Sequence, residues 1–295
     1  MYAFLIGALI TALGFTLARH DQSSDDTSGA LTTLLVAGSE TLRPLMSRCA
    51  EAYMSEHRDV DVVVRGGGSA TGIAALLAGQ IDLALSSREL TQAEKQHVER
   101  SSTRLRVRPI AREAIAVIAH RGVAIDALNV QQIAALFDGS ITDWSAFGAQ
   151  GGAITIVGRA AGSGTAAVIE ERILDGRTMT STARLLDTHE SVIDAVGSTN
   201  GAVGYADAHL AQASASSVRI VAVSARSDEA AHLPEPEGIA QGKYPLARTL
   251  NAISIEPEAA AIDALIGRCT GTTGRSLIEA AGFLPIAQKA AVAQP

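Results

Sequence analysis

Four apolar runs in this chain each end in a turn rich in hydroxyls, and that repetition limits the fold more than any other feature. Leu31 to Ala37 leads into Gly38-Ser39-Glu40-Thr41, and Val60 to Arg65 leads into Gly66-Gly67-Gly68-Ser69-Ala70-Thr71-Gly72. Ile81 to Leu85 ends at Ser86-Ser87-Arg88, and the run from Ile154 passes Arg159 before reaching Ser163-Gly164-Thr165. Short apolar, β-branched runs bounded by glycine and serine read as strands. A helical pattern follows three of the four directly, so the chain reads as an alternating α/β protein. Ligands of such sheets bind at the carboxyl ends of the strands. Four hydroxyl-bearing strand ends therefore fit one shared site, with glycines where backbone must approach a ligand closely.

The fourth turn carries the most chemistry. A strand that delivers Ser163-Gly164-Thr165 to a helix start presents several unpaired backbone N–H groups at one point. Two hydroxyls and the Arg159 guanidinium stand beside those donors, a composition suited to a small anion. An ordinary capped helix is the alternative reading, because serine and threonine cap helices anywhere. Nucleotide motifs are absent: Gly66 to Gly72 lacks the Lys-Ser/Thr of a P-loop and has Thr71 where G-x-G-x-x-G needs glycine. No G-x-S-x-G elbow is present, so no catalytic residue is assigned and an enzyme is not expected.

Composition narrows the partners. The 295 residues are 47% hydrophobic and 3% aromatic, which suits small-residue packing of strands and helices and opposes disorder. A net charge of -7 gives no support to a nucleic-acid partner, and an anion must be held here by local donors. His97, His120, His189, His209 and His232 fall at no metal spacing and read as surface residues, so neither metal nor cofactor is expected. Cys49 and Cys269 allow one long-range disulfide or two buried thiols. The apolar stretch at residues 2–18 precedes a polar tract within 1–29 and reads as a cleaved signal peptide or a short membrane anchor.

Helical patterns are expected at Leu42 to His57, Ile73 to Ala78, Glu94 to Arg104, Val130 to Phe137, Glu190 to Val196, Ala259 to Ile266 and Thr273 to Ala281. Val107 to Ala119 and Tyr244 to Ile253 read as extended runs that could cross between domains, and Ser224 to Gly242 as a surface loop. Trp144, the only tryptophan, reads as a structural anchor.

Taken in order, Gly38-Ser39-Glu40-Thr41, Gly66 to Gly72, Ser86-Ser87-Arg88, Ile141-Thr142-Asp143-Trp144, Gly158 to Thr165, Gly201-Ala202-Val203-Gly204-Tyr205 and Tyr244-Pro245-Leu246 resemble the periplasmic phosphate-binding proteins that serve ABC phosphate importers. The resemblance implies a two-lobed fold of the type II periplasmic-binding-protein class, two α/β domains joined by two hinge strands. Lobe I would comprise 30–112 and 244–295, and lobe II 113–243. It implies a phosphate-binding set of Thr41 and Leu42 (through backbone N–H), Ser69, Ser87, Arg159, Ser163, Gly164 and Thr165, with Ser39 and Arg88 in matching motifs. It also implies an exported monomer in the periplasm or at the cell surface that serves membrane permease subunits. Sulfate, molybdate or tungstate receptors and a membrane-anchored phosphate sensor are the alternatives. Two positions depart from the family: Ser87 stands where some members carry a proton-accepting aspartate, and Glu40 where a small hydroxyl residue is common. Glu40 either favours the helix dipole or accepts the phosphate proton itself.

Overall fold

A computed structural model describes residues 31–150 and 152–286; the expected export segment lies outside them. In chain order the elements are β1 (Thr32–Gly38), α1 (Arg43–Glu56), β2 (Val60–Gly67), α2 (Ser69–Leu77), β3 (Leu83–Ser86), α3 (Gln92–Ser101), β4 (Leu105–His120), β5 (Ala127–Asn129), α4 (Val130–Phe137), β6 (Thr155–Arg159) and α5 (Gly164–Ile169). There follow β7 (Arg184–Leu186), α6 (His189–Ser198), β8 (Ala202–Asp207), α7 (Ala208–Ala213), β9 (Val218–Ser224), α8 (Pro236–Ala240), β10 (Ala247–Ile255), α9 (Ala260–Thr270), α10 (Thr272–Ala280) and β11 (Leu284–Pro285). The structure places α2 four residues earlier than the sequence reading, so Ser69 opens the helix. It also adds α8 to the expected loop and makes Tyr244 to Leu246 a turn rather than part of the extended run.

Local chemistry explains the helix starts. Thr91 with Glu94, and Asn129 with Gln132, form reciprocal capping boxes at α3 and α4. Ser163 caps α5 by accepting from the N–H groups of Thr165 and Ala166.

The strands run in the order β2-β1-β3-β10-β4-β8-β6-β7, with β9 and β11 also paired to β4 and β5 paired to β9. β1 is parallel to β2 and β3, so their carboxyl ends, Gly38, Gly67 and Ser86, lie along one edge. β6 is likewise parallel to β7 and β8, which gathers Arg159, Leu186 and Asp207. β4 belongs to both groups: Leu105 to Ala114 pair antiparallel with β10, and Ile115 to Ala119 with β8. The apolar cores divide in the same way. One gathers Leu34, Leu45, Met46, Leu83 and Leu265, another Val117, Phe137, Trp144, Val157 and Tyr205, and a small third cluster of Ile73, Leu76, Ala84 and Ile253 joins α2 to β3 and β10.

Trp144 is wholly buried and donates from Nε1 to the Gly201 carbonyl at 2.9 Å, the anchor expected of it. Cys49 and Cys269 form a disulfide between α1 and α9, with 5.2 Å between their Cα atoms. Of the two readings of that pair, the bond is the one present. Among the described residues no helix is long and apolar enough to cross a membrane.

Candidate functional site

The two groups of parallel strands turn their carboxyl ends toward one another, and the hydroxyl turns meet there. Ser39, Thr41, Leu42, Ser69, Ser87, Arg159, Ser163 and Thr165 are all buried. Ser69 Oγ lies 3.3 Å from Ser87 Oγ and accepts the Ser87 N–H at 3.1 Å. Gly164, the first residue of α5, sits against both serines: a Cβ there would overlap their Oγ atoms. Gly68, at φ 89°, would drive a Cβ to 2.6 Å from the Gly162 carbonyl oxygen. Two of the expected close approaches therefore require glycine.

Arg159 ends β6 and is only 4% exposed. Its Nε donates to the Leu186 carbonyl at 3.3 Å and its Nη2 to the Asp187 carbonyl at 2.5 Å. Its backbone N–H donates to the Tyr205 hydroxyl at 3.0 Å. Nη1 is buried with no hydrogen-bond partner among the described residues. Burial lowers the guanidinium pKa, yet arginine stays charged in any protein setting. A buried, charged donor with no partner is costly to leave so, and an anion in the cleft would satisfy it.

Arg88 is used elsewhere. Its Nη1 and Nη2 each donate to Glu94 at 2.7 Å, and Nη1 also reaches the Glu89 carbonyl. This fork joins the strand end after β3 to the capping box of α3, so Arg88 supports the Ser86-Ser87 turn instead of offering its charge to the cleft. Ser39 Oγ lies 3.4 Å from the Leu42 N–H and braces the turn into α1.

Glu40 has a further role that neither expectation named. One carboxylate oxygen accepts the Gly67 N–H at 2.8 Å and the other accepts Arg43 Nε at 2.9 Å. It straps the first hydroxyl turn to the second. Burial alone would raise this carboxyl, but those hydrogen bonds outweigh it and hold the group below its ordinary value.

Behind the hydroxyls lies a buried polar cluster that the sequence reading missed. His189, taken for a surface residue, is 4% exposed at the start of α6. Its Nε2 lies 3.1 Å from Thr41 Oγ1 and 3.5 Å from Thr165 Oγ1, and Nδ1 lies 3.1 Å from the Asp207 N–H. Burial, then the nearby Arg159 charge, pushes its pKa down to about 3. Arg248 on β10 donates from Nη2 to Thr165 Oγ1 at 3.0 Å and Thr41 Oγ1 at 3.3 Å, and forms an ion pair with Glu113 of β4. Burial raises the Glu113 carboxyl well above its usual range despite Arg248, and the neighbouring Asp207 adds to the rise. Asp207 is held low: its burial is outweighed by the hydrogen bond from Glu113 and by the nearby His189 and Arg248. The members of this cluster come from β4, α6, β8 and β10, so no local motif announces them.

A family model described as a PBP superfamily domain matches residues 23–267. The chain is 26% identical over 249 residues to the phosphate-binding protein PstS of Bacillus subtilis, covering 83% of this chain and 78% of that one. Against PstS of Pseudomonas aeruginosa the figure is 26% over 282 residues, covering 90% and 86%. An ABC-type phosphate transport receptor from Vibrio cholerae superposes with a TM-score of 0.71 at 24% identity, covering 86% of this chain and 100% of that chain. At that identity the structural likeness is one of fold.

Proposed function

This chain belongs to the PBP superfamily, and from that premise we propose that it is an extracytoplasmic receptor that encloses one inorganic phosphate and delivers it to an ABC importer. The observation that carries the reading is Arg159 Nη1, a buried cationic donor without a partner among the described residues, beside a helix start and the hydroxyl turns. In this reading the anion is held by Thr41 and Leu42 through their N–H groups, by Ser69 and Ser87, and by Arg159, Ser163, Gly164 and Thr165. Ser39 and Arg88 brace the surrounding turns. The lobes divide at 112/113 and 243/244, a division supported by β4 changing partner from β10 to β8 just beyond Ala114. Export rests on the apolar stretch at residues 2–18, and the permease as partner on the family's transport role. The protein works as a monomer and carries out no reaction.

A receptor for another oxyanion is the second reading. Ser87 brings no carboxylate to the cleft, and Glu40 is tied to Gly67 and Arg43. Titration calorimetry with phosphate, sulfate and molybdate separates the two. Phosphate bound tightly, with the others at least tenfold weaker, is the expected result; tighter sulfate or molybdate moves the assignment to that anion, and no binding of any of them ends it.

A further inference from the structure

We propose that His189 is a positioning residue of the anion site, which together with Arg248 donates N–H groups to the oxygens of Thr41 and Thr165 and so turns both hydroxyls toward donating to the bound anion. The inference rests on the phosphate reading and goes beyond it, because His189 and Arg248 lie in none of the hydroxyl turns that suggested the site.

The contacts of the ring set its tautomer. Nδ1 faces the Asp207 N–H at 3.1 Å, and a backbone N–H can only donate. Nδ1 therefore holds a lone pair and the proton of the neutral ring is on Nε2, aimed between the two threonines. A guanidinium likewise only donates, and Arg248 Nη2 reaches the same two oxygens. Nε2 has one hydrogen and lies nearer Thr41, while Arg248 Nη2, which also serves Glu113, lies nearer Thr165, so each threonine oxygen has one close N–H donor. A hydroxyl has two lone pairs and one hydrogen. With one lone pair of each oxygen engaged, the O–H bond is turned away from His189 and Arg248. Two rotors that would otherwise sample several orientations are biased toward donating before the anion arrives.

Thr41 belongs to the turn after β1 and Thr165 to α5, so one imidazole fixes donors from both sides of the cleft. Thr41 and His189 also line a cavity of about 230 Å³, roomy enough for water. Water in place of the imidazole could donate or accept, and the hydroxyls would lose their set direction.

Paired substitutions test this against a merely structural role. His189→Asn keeps an acceptor near Nδ1 for the Asp207 N–H but cannot reach the threonines. His189→Gln extends an amide donor toward the position of Nε2. Phosphate calorimetry should find His189→Gln within about twofold of wild type and His189→Asn weaker by about tenfold, the loss of one oriented hydrogen bond to a charged ligand. In a Thr41→Val/Thr165→Val background the two substitutions should become equivalent. Any other order of affinities, or additive effects in that background, overturns the inference. One measurement needs no variant: nitrogen NMR of the wild type should show His189 protonated at Nε2, and an Nδ1–H ring overturns it equally. Wild type that binds no phosphate refutes the functional reading instead, so the two failures are distinct.

Discussion

At Arg159, two carbonyls hold the guanidinium by Nε and Nη2 while Nη1 is left over. Arg159→Ala should remove a charge-assisted contact of roughly 1.5–3 kcal/mol, a loss of about one to two orders of magnitude in phosphate affinity. Lysine should recover little, because a single ammonium cannot keep both carbonyls and also reach the anion. Calorimetry on the two variants checks this, and undiminished binding by Arg159→Ala would refute the site. His189 carries a prediction in pH. Its pKa falls from 6.5 in the unfolded chain to about 3 in the fold, so between those values the unfolded chain binds the proton and the folded one does not. Its contribution to stability is complete above about pH 6.5 and is lost progressively as pH falls toward 3. Denaturant unfolding of wild type and His189→Gln should therefore diverge below pH 6.5, wild type losing stability faster; parallel curves would contradict the buried neutral ring.

Among the elements, α1 and α9 are tied by the Cys49–Cys269 disulfide, whose sequence separation of 220 residues closes most of the described chain into one loop. Replacing both cysteines by alanine should cost about 2–4 kcal/mol of stability, read from the urea midpoint. Phosphate affinity should stay as it was, because the bond lies in the core under β1 and β3 and away from the cleft. The parts of the fold that the sequence announced share one property: each is a contiguous run with its own terminator. β1, β2, β3 and β6 were readable because apolar runs stop at serine, glycine or arginine, and the same stops are the cradle. The three-residue strands β5 and β7 and the two-residue β11 are too short to show alternation. His189, Arg248, Glu113 and Asp207 were unreadable for a different reason. Each looks ordinary in its own segment; the pairing of β4 with β8 and β10 joins three of them, and the start of α6 brings His189 against Asp207.

For the whole molecule, the proposed receptor role predicts motion about a cleft shared by two groups of strands. Thr41 from one side and Thr165 from the other meet at His189, and the Ala70 N–H reaches the Gly162 carbonyl across the gap at 3.4 Å. In the proposed receptor, contacts of this kind would form on closure of the lobes over the anion. Small-angle scattering should give a smaller radius of gyration with phosphate than without it; identical radii, with binding verified, would argue against hinge closure. The strand that permits such motion also constrains how the protein can be altered. β4 passes from one partner to the other between Ala114 and Ile115 as a single unbroken element. A cut there would leave each fragment a bare strand edge open to pairing with its neighbours. Neither half is therefore a portable module: grafts, domain exchanges and split reporters have to be joined at surface loops, and each half is inherited only with the other.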